Sequence, residues 1–218
     1  MVNGKNIYKS KKYYSLTHPQ VSLDFSTAWT ANHLTVIKNI FPQIKNYKHK
    51  KVLEIGSSYG GFINNLNKEG FSDVTASDMD KSLLSSNIKN KFIYLDILNI
   101  KNLKDKYDVI FAFNVLEHIA EDELVVKNVF HLLSKNGLFI FSVPYPRLLN
   151  IYDPYHINIQ YPNYWTNLFH RNGFVLLKVE EITFLPFIWR YVKLPFFFKK
   201  PMNIKIFTSE IFYVLKKS

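Results

Sequence analysis

Residues 52 to 61, read as VLEIGSSYGG, set one carboxylate in an apolar run and follow it with small residues at alternate positions, Gly56, Ser58 and Gly60. Small residues let a ligand approach backbone that larger side chains would block, and a strand, a turn and a helix in this order form a nucleotide-binding pattern. The bland alternative is a tight turn that holds nothing. A pyrophosphate held at the helix N-terminus would lie close to Glu54, so a positively charged ligand suits that carboxylate better. Asp78 lies 18 residues beyond Gly60, where a carboxylate can accept hydrogen bonds from ribose hydroxyls, and Asp80 is better placed to cap the next helix. Two histidines stand where a proton acceptor would be useful, His118 after the fourth apolar run and His156 in the loop after the fifth.

Positioning these residues requires a particular alternation of elements. Short apolar runs at 51–55, 73–77, 92–95, 107–113 and 138–143 read as buried strands, and between them lie stripes of helical period. One helix covers 61–70 with Phe62, Ile63 and Leu66 on one side. A second starts at Asp80 with Leu84 and Ile88, and a third carries Val125, Val129, Leu132 and Leu133 and closes at Asn136-Gly137. Pro162 opens a further helix with Trp165, Leu168 and Phe169 inward and Gly173 as its stop, and runs at 174–179 and 211–215 complete seven strands. Ahead of the first strand, Trp29, His33, Val36, Ile37 and Ile40 form one amphipathic stripe ending at Pro42. The expected fold is α/β: a doubly wound, Rossmann-like sheet of about seven strands with helices on both faces and a ligand beyond the carboxyl ends of the strands.

The 218 residues predict a single domain: an N-terminal cap and helix over 1–48, a ligand-binding core over 49–183, an aromatic and basic insertion over 184–207, and a final strand in 208–218. With no Cys, thiolate nucleophiles, disulfides and Cys-ligated zinc are excluded. The net charge of +11 suggests anionic partners, yet 25 of the 28 basic residues are Lys, and bidentate phosphate recognition leans on Arg. The first twenty residues are basic but lead into no apolar run of the signal-peptide kind, which predicts a cytoplasmic protein. The greasy stretch 184–198 is interrupted by Arg190, Lys193, Pro186 and Pro195 and is too short to span a bilayer. It reads as packing over the sheet, as a lid over an apolar acceptor, or as a patch (184–200) that rests on an anionic membrane.

Taken in order, Glu54-Ile55-Gly56-Ser57-Ser58-Tyr59-Gly60, Asp78, Leu95-Asp96-Ile97, Tyr107-Asp108-Val109 through Asn114-Val115-Leu116-Glu117-His118-Ile119, and Leu132 to Gly137 resemble the class I S-adenosylmethionine-dependent methyltransferases. The resemblance covers roughly residues 50 to 180 and extends to an antiparallel last strand. It implies that the Glu54–Gly60 turn lies under the methionyl part of S-adenosylmethionine, that Asp78 binds the ribose hydroxyls, and that Asp96 faces the adenine amino group between Met79 and Ile97. Asn114 would sit beside the methionine moiety. The commonest family pattern has glycine where this chain has Ser58.

The Leu116-Glu117-His118 segment resembles that of quinone-pathway O-methyltransferases, some relatives of which hold a divalent metal with a Glu-x-x-Glu-His run and a later His. Asn114 takes the place of the first Glu, so no metal is expected. An Asn-Pro-Pro-Tyr-like segment for base amines is also missing, and base-carbon chemistry through Cys is ruled out. The resemblance therefore implies methyl transfer to a small molecule, to oxygen before nitrogen, with His156 or His118 as the base. An RNA methyltransferase and a non-catalytic cofactor-binding partner subunit are the alternatives; a NAD-linked oxidoreductase fits Glu54 poorly.

Overall fold

The computed structural model describes residues 22–101, 103–147, 155–183 and 208–218, so the expected insertion at 184–207 lies outside the described residues. Helix α1 spans Leu23–Ile40, with Ser22 accepting from the Phe25 N–H at its start and Pro42 beyond its end. After it come β1 (Lys51–Ile55), α2 (Gly61–Lys68), β2 (Asp73–Asp78), β3 (Lys91–Tyr94), β4 (Tyr107–Phe113), α3 (Asp122–Leu132), β5 (Leu133–Pro144), α4 (Pro162–Arg171), β6 (Phe174–Ile182) and β7 (Glu210–Lys217).

The strands form one seven-stranded sheet in the order β3-β2-β1-β4-β5-β7-β6. All neighbours are parallel except β7, which runs antiparallel to both β5 and β6. From β1 the chain builds outward through β2 and β3, then returns to lay β4 on the other side of β1. Beyond the carboxyl ends of β1 and β4 the order therefore reverses, and a crevice opens there. Because β7 runs backwards, its first residue, Glu210, pairs with Pro144 at the carboxyl end of β5, on that same edge.

Alternate strand residues feed two cores. Leu53, Ile55, Ile110, Ala112, Phe139 and Phe141 pack with Val125 and Val129 of α3 and Trp165 and Phe169 of α4, whereas Val52, Val109, Phe111, Leu138 and Ile140 pack with Ile37 of α1 and Phe62 and Leu66 of α2. Burial on both faces explains why the strands read as nearly continuous apolar runs. Helices α1 and α2 meet in backbone contact: a Cβ added at Gly61 would stand 2.3 Å from the carbonyl carbon of Ser26. That contact fixes α1 over the turn after β1.

Two expected elements are corrected. The helix expected after Asp80 is a single 3-10 turn, Lys81–Leu83, with Asp80 capping Ser82. Its continuation, Ser85-Ser86-Asn87, consists of residues whose side chains bond local backbone, as Ser85 Oγ does in accepting from Asn87 N, and the helix stops. Leu84 and Ile88 close on Gly60 instead of lying on a helix. Helix α3 ends at Leu132 rather than Asn136-Gly137, because Leu133 pairs with Tyr107 and opens β5; Ser134–Gly137 then bulge out before Leu138 pairs with Val109.

Candidate active site

The turn after β1 takes a left-handed backbone at each alternate position: Gly56 at φ 75°, Ser58 at 46° and Gly60 at 83°. The small residues thus serve the chain path as well as a ligand. At Gly56 a Cβ would stand 2.7 Å from Val115 Cγ2, and at Gly60 2.7 Å from Ile88 Cγ1. Ser57 and Ser77 stitch β1 to β2: Ser57 Oγ accepts from Ser77 N at 2.9 Å, and Ser77 Oγ donates to the Glu54 carbonyl at 2.7 Å. Asp78 holds the turn from the other side, accepting from Ser58 N at 2.8 Å and from Asp80 N at 3.1 Å. Burial raises the Asp78 carboxyl above its ordinary range, and those backbone donors pull it back down.

Glu54, Gly56, Ser58 and Asn114 line a cavity of about 110 Å³ together with Ser26, Trp29, Thr30 and His33 of α1, Ser57, Phe62 and Phe113. Glu54 is buried, and burial pushes its carboxyl up to about 8, with the Asp78 charge adding to the rise and Ser57 opposing it. Glu54 Oε2 and Asn114 Oδ1 are buried acceptors with no hydrogen-bond partner among the described residues. Asn114 Nδ2 donates to Glu210 Oε1 at 3.3 Å, and Glu210 Oε2 lies 3.2 Å from His33 Nε2.

His118 and His156 come together, ring centroids 5.2 Å apart. His118 Nδ1 lies 2.9 Å from the Tyr155 carbonyl, an acceptor, so Nδ1 is the donor in that bond, which distinguishes it from Nε2. That Nε2 is 3.9 Å from Glu117 Oε1, and one ligand atom from each of Glu117, His118 and His156 lies within 4.8 Å of the others. The loop is tied down where Asn158 N donates to the Glu117 carbonyl and Asn158 Nδ2 to that of Ile119.

Of the other expected site residues, Gly60 is the N-cap of α2, and Gly60, Asp78, Met79, Asp96 and Ile97 lie outside the cavity lining. Asp96 Oδ1 accepts from Leu98 N at 3.0 Å, and Ile97 is buried in the core beside α3.

The sequence matches a family described as a methyltransferase domain over residues 33–179, more than half of the chain and every element from within α1 to β6. The chain belongs to that family. The methyltransferase is 29% identical over 98 residues to a malonyl-[acyl-carrier protein] O-methyltransferase of Bacillus anthracis, covering 42% of this chain and 36% of that protein. It is 24% identical over 173 residues to the (S)-coclaurine N-methyltransferase of Papaver somniferum, covering 74% of this chain and 47% of that protein. The chain thus spans less than half the length of either relative. A solved SAM-dependent methyltransferase of Archaeoglobus fulgidus shares the fold with a TM-score of 0.67 and 17% identity, over 94% of this chain and 100% of that one.

S-adenosylmethionine is the cofactor, and the methyltransferase fits it on two observations. Glu54 and Asn114 line one cavity, and each brings to it a buried acceptor, Oε2 and Oδ1, with no partner among the described residues, a surplus that suits a cationic ligand. The left-handed turn presents its backbone to that cavity with few side chains in the way. Sequence reasoning missed His33, Glu210 and Glu117. An imidazole on an otherwise apolar stripe and a carboxylate immediately before the last apolar run were the signals for the first two; Glu117 stood beside His118 in plain view.

Proposed function

We propose that this methyltransferase moves the methyl group of S-adenosylmethionine to an oxygen of a small-molecule acceptor, with the His118–His156 pair receiving the acceptor's proton. The carrying observation is the pair of imidazoles, ring centroids 5.2 Å apart, with His118 held in place by the bond from its Nδ1 to the Tyr155 carbonyl. Held beside Glu54 and Asn114, S-adenosylmethionine would supply the methyl group and retain the electron pair of the carbon–sulfur bond as the new carbon–oxygen bond forms, while the imidazole pair receives the hydroxyl proton. The methyl group is already activated by the positive sulfur, so what remains for the protein is alignment and the proton.

The names of the two relatives give one O-methyl and one N-methyl transfer, so they do not choose between the atoms. The histidines favour oxygen. A neutral amine attacks with its own lone pair, whereas a hydroxyl is a weak nucleophile until its proton has somewhere to go. Against a nucleic-acid acceptor stand the absent Asn-Pro-Pro-Tyr segment and the scarcity of Arg.

Isotopically labelled S-adenosylmethionine, incubated with the protein and a fractionated extract, tests this directly. Label should enter a low-mass fraction. Label in RNA would overturn the acceptor class, and donor binding without transfer to any fraction would make the chain a partner subunit rather than an enzyme.

One observation favours a second reading of the same cluster. Sequence reasoning set a metal aside because Asn114 replaces a glutamate, but Asn114 bonds to Glu210, and the three remaining donors have converged without it. One carboxylate and two imidazoles are a donor set for a divalent transition metal. Such an ion would supply Lewis acidity to the acceptor oxygen. About one metal per chain, with turnover lost on chelation and restored by metal, would replace the proton-acceptor reading.

A further inference from the structure

The polar chain running from α1 through β7 to the end of β4 contains no residue that the sequence motifs point to except Asn114. His33 is 1% exposed and Glu210 5%, so both sit where an ionisable side chain needs a reason to be. Trp29, Phe113 and Phe212 enclose the imidazole at ring-centroid distances of 5.7, 5.1 and 5.5 Å. Its Nε2 is 3.2 Å from Glu210 Oε2 and its Nδ1 is 3.4 Å from the Trp29 carbonyl. Glu210 Oε1 in turn accepts from Asn114 Nδ2 at 3.3 Å.

Asn114 and His33 both line the donor cavity, and Asn114 brings to it a buried acceptor, Oδ1, with no partner among the described residues. Its backbone is left-handed at φ 53°, and its N–H donates to the Ser142 carbonyl at 3.1 Å, so the main chain is pinned while the side-chain amide could still rotate end for end. The two ends of that amide have opposite character: NH₂ donates and the oxygen accepts. Glu210 Oε1 accepts from Asn114 Nδ2, so Glu210 holds Asn114 by its NH₂ end. Oδ1 is thereby turned away from Glu210, and it is buried with no partner among the described residues on a residue that lines the cavity beside Glu54.

We propose that Glu210 and His33 are positioning residues that fix the amide of Asn114 with its oxygen toward the donor cavity, so that the site discriminates in favour of the cationic methyl donor over its neutral demethylated product. Glu210 sets the amide's direction, and His33 sets the carboxylate's. The antiparallel β7 is what delivers a carboxylate to this edge, and the backbone contact between Gly61 and Ser26 is what holds α1, and so His33, in place. A flipped amide would present N–H dipoles to the positive sulfur, exchanging an attraction for a repulsion. The neutral thioether of S-adenosylhomocysteine has no charge at sulfur to register that change. The inference rests on the reading that this cavity takes S-adenosylmethionine.

Glu210→Gln is the deciding variant. It is nearly isosteric, but its own NH₂ can donate to Asn114 Oδ1, so the direction of the Asn114 amide is no longer fixed. Calorimetric Kd values for S-adenosylmethionine and S-adenosylhomocysteine, on the native chain and the variant, should show the donor weakened about tenfold and the product less than about twofold. His33→Phe, which keeps the aromatic packing and removes the donor to Glu210, should shift the ratio in the same direction. His33→Gln, which restores a donor, should return it toward the native value. Equal weakening of both ligands, or no change in either, overturns the inference while leaving the cofactor reading intact. Failure of the native chain to bind either ligand overturns the cofactor reading itself. Should Glu210→Gln fail to fold, as read by circular dichroism, the contrast between His33→Phe and His33→Gln decides in the same way.

Discussion

Glu54, Ser58 and Asp78 are drawn from one βαβ unit, and their geometry is written in the backbone: left-handed residues at alternate positions, and a carboxylate bonded to the Ser58 N–H from 20 residues away. Glu117, His118 and His156 are a different construction. Their side chains converge from a turn after β4 and a loop after β5, held by Asn158 to the carbonyls of Glu117 and Ile119 and by the His118 bond to Tyr155. A backbone-built cradle is hard to alter without altering the fold, and it suits a ligand of fixed shape. A cluster of side chains on loops can be retuned by single substitutions, and it suits an acceptor that differs from one enzyme to the next. Changes in the cradle should therefore appear in donor binding, and changes in the cluster in turnover.

The largest effect should come from the cluster. His156→Gln and His118→Gln are each expected to lower kcat by a factor of about 10² to 10⁴, the usual contribution of a general base, while the donor Kd stays within about twofold. Single-turnover assays with saturating donor separate the two quantities. A donor Kd that moves as far as kcat would erase the distinction between the regions.

Next in size, Asp78→Ala should weaken the donor about ten- to a hundredfold, because a carboxylate that also organises Ser58 N–H is lost, whereas Asp80→Ala removes only the cap of a short turn and should cost less than about threefold. Equal losses in the two variants would mean that the ribose carboxylate has been misassigned.

The cradle was the more legible of the two in the sequence, for a physical reason. A turn that needs small residues at alternate positions, flanked by a strand and a helix, leaves a local pattern, and Glu54, Gly56, Ser58, Gly60 and Asp78 were all visible within 25 residues. The sheet was equally legible, since burial on both faces produces apolar runs, and the reversed last strand agreed with the resemblance. Contacts between distant segments leave no such trace. His33 and Glu210 are 177 residues apart, and only the insertion of β7 between β5 and β6 brings them together. The helix expected at Asp80 failed for the converse reason: Leu84 and Ile88 have helical spacing, yet the serines and asparagine between them prefer local bonds.

A third effect is a pH dependence confined to the cradle. Burial holds the Glu54 carboxyl up near about 8, so in the unliganded protein it carries a proton at neutral pH. A cationic donor favours the carboxylate, and binding must therefore release that proton. Affinity should rise with pH, by up to about tenfold per unit below about 8, and level off above it; Glu54→Gln should flatten the profile. The stability of the unliganded chain should move the other way. A carboxyl whose folded pKa exceeds its unfolded value binds more protons when folded, so stability falls as pH rises between about 4.5 and about 8. Thermal unfolding measured with and without donor checks both signs in one series.

The smallest effect is the most specific to this chain. Ser58 occupies a left-handed backbone at φ 46°, where a Cβ costs roughly 1–2 kcal/mol, and it does so at the position where the commonest pattern of the family has glycine. Ser58→Gly removes that strain but gives the unfolded chain more freedom, which returns about half of the gain, so a net stabilisation of about 1 kcal/mol or less is expected as an upward shift in Tm. The main-chain bond from residue 58 to Asp78 survives the change, and the donor Kd should stay within about twofold. Gly60, two residues on, has no such latitude, because a Cβ there would meet Ile88 and Leu84 at 2.7 and 2.9 Å. If Ser58→Gly instead weakened the donor markedly, the serine side chain would be part of the site, and the cradle would no longer be a purely backbone construction.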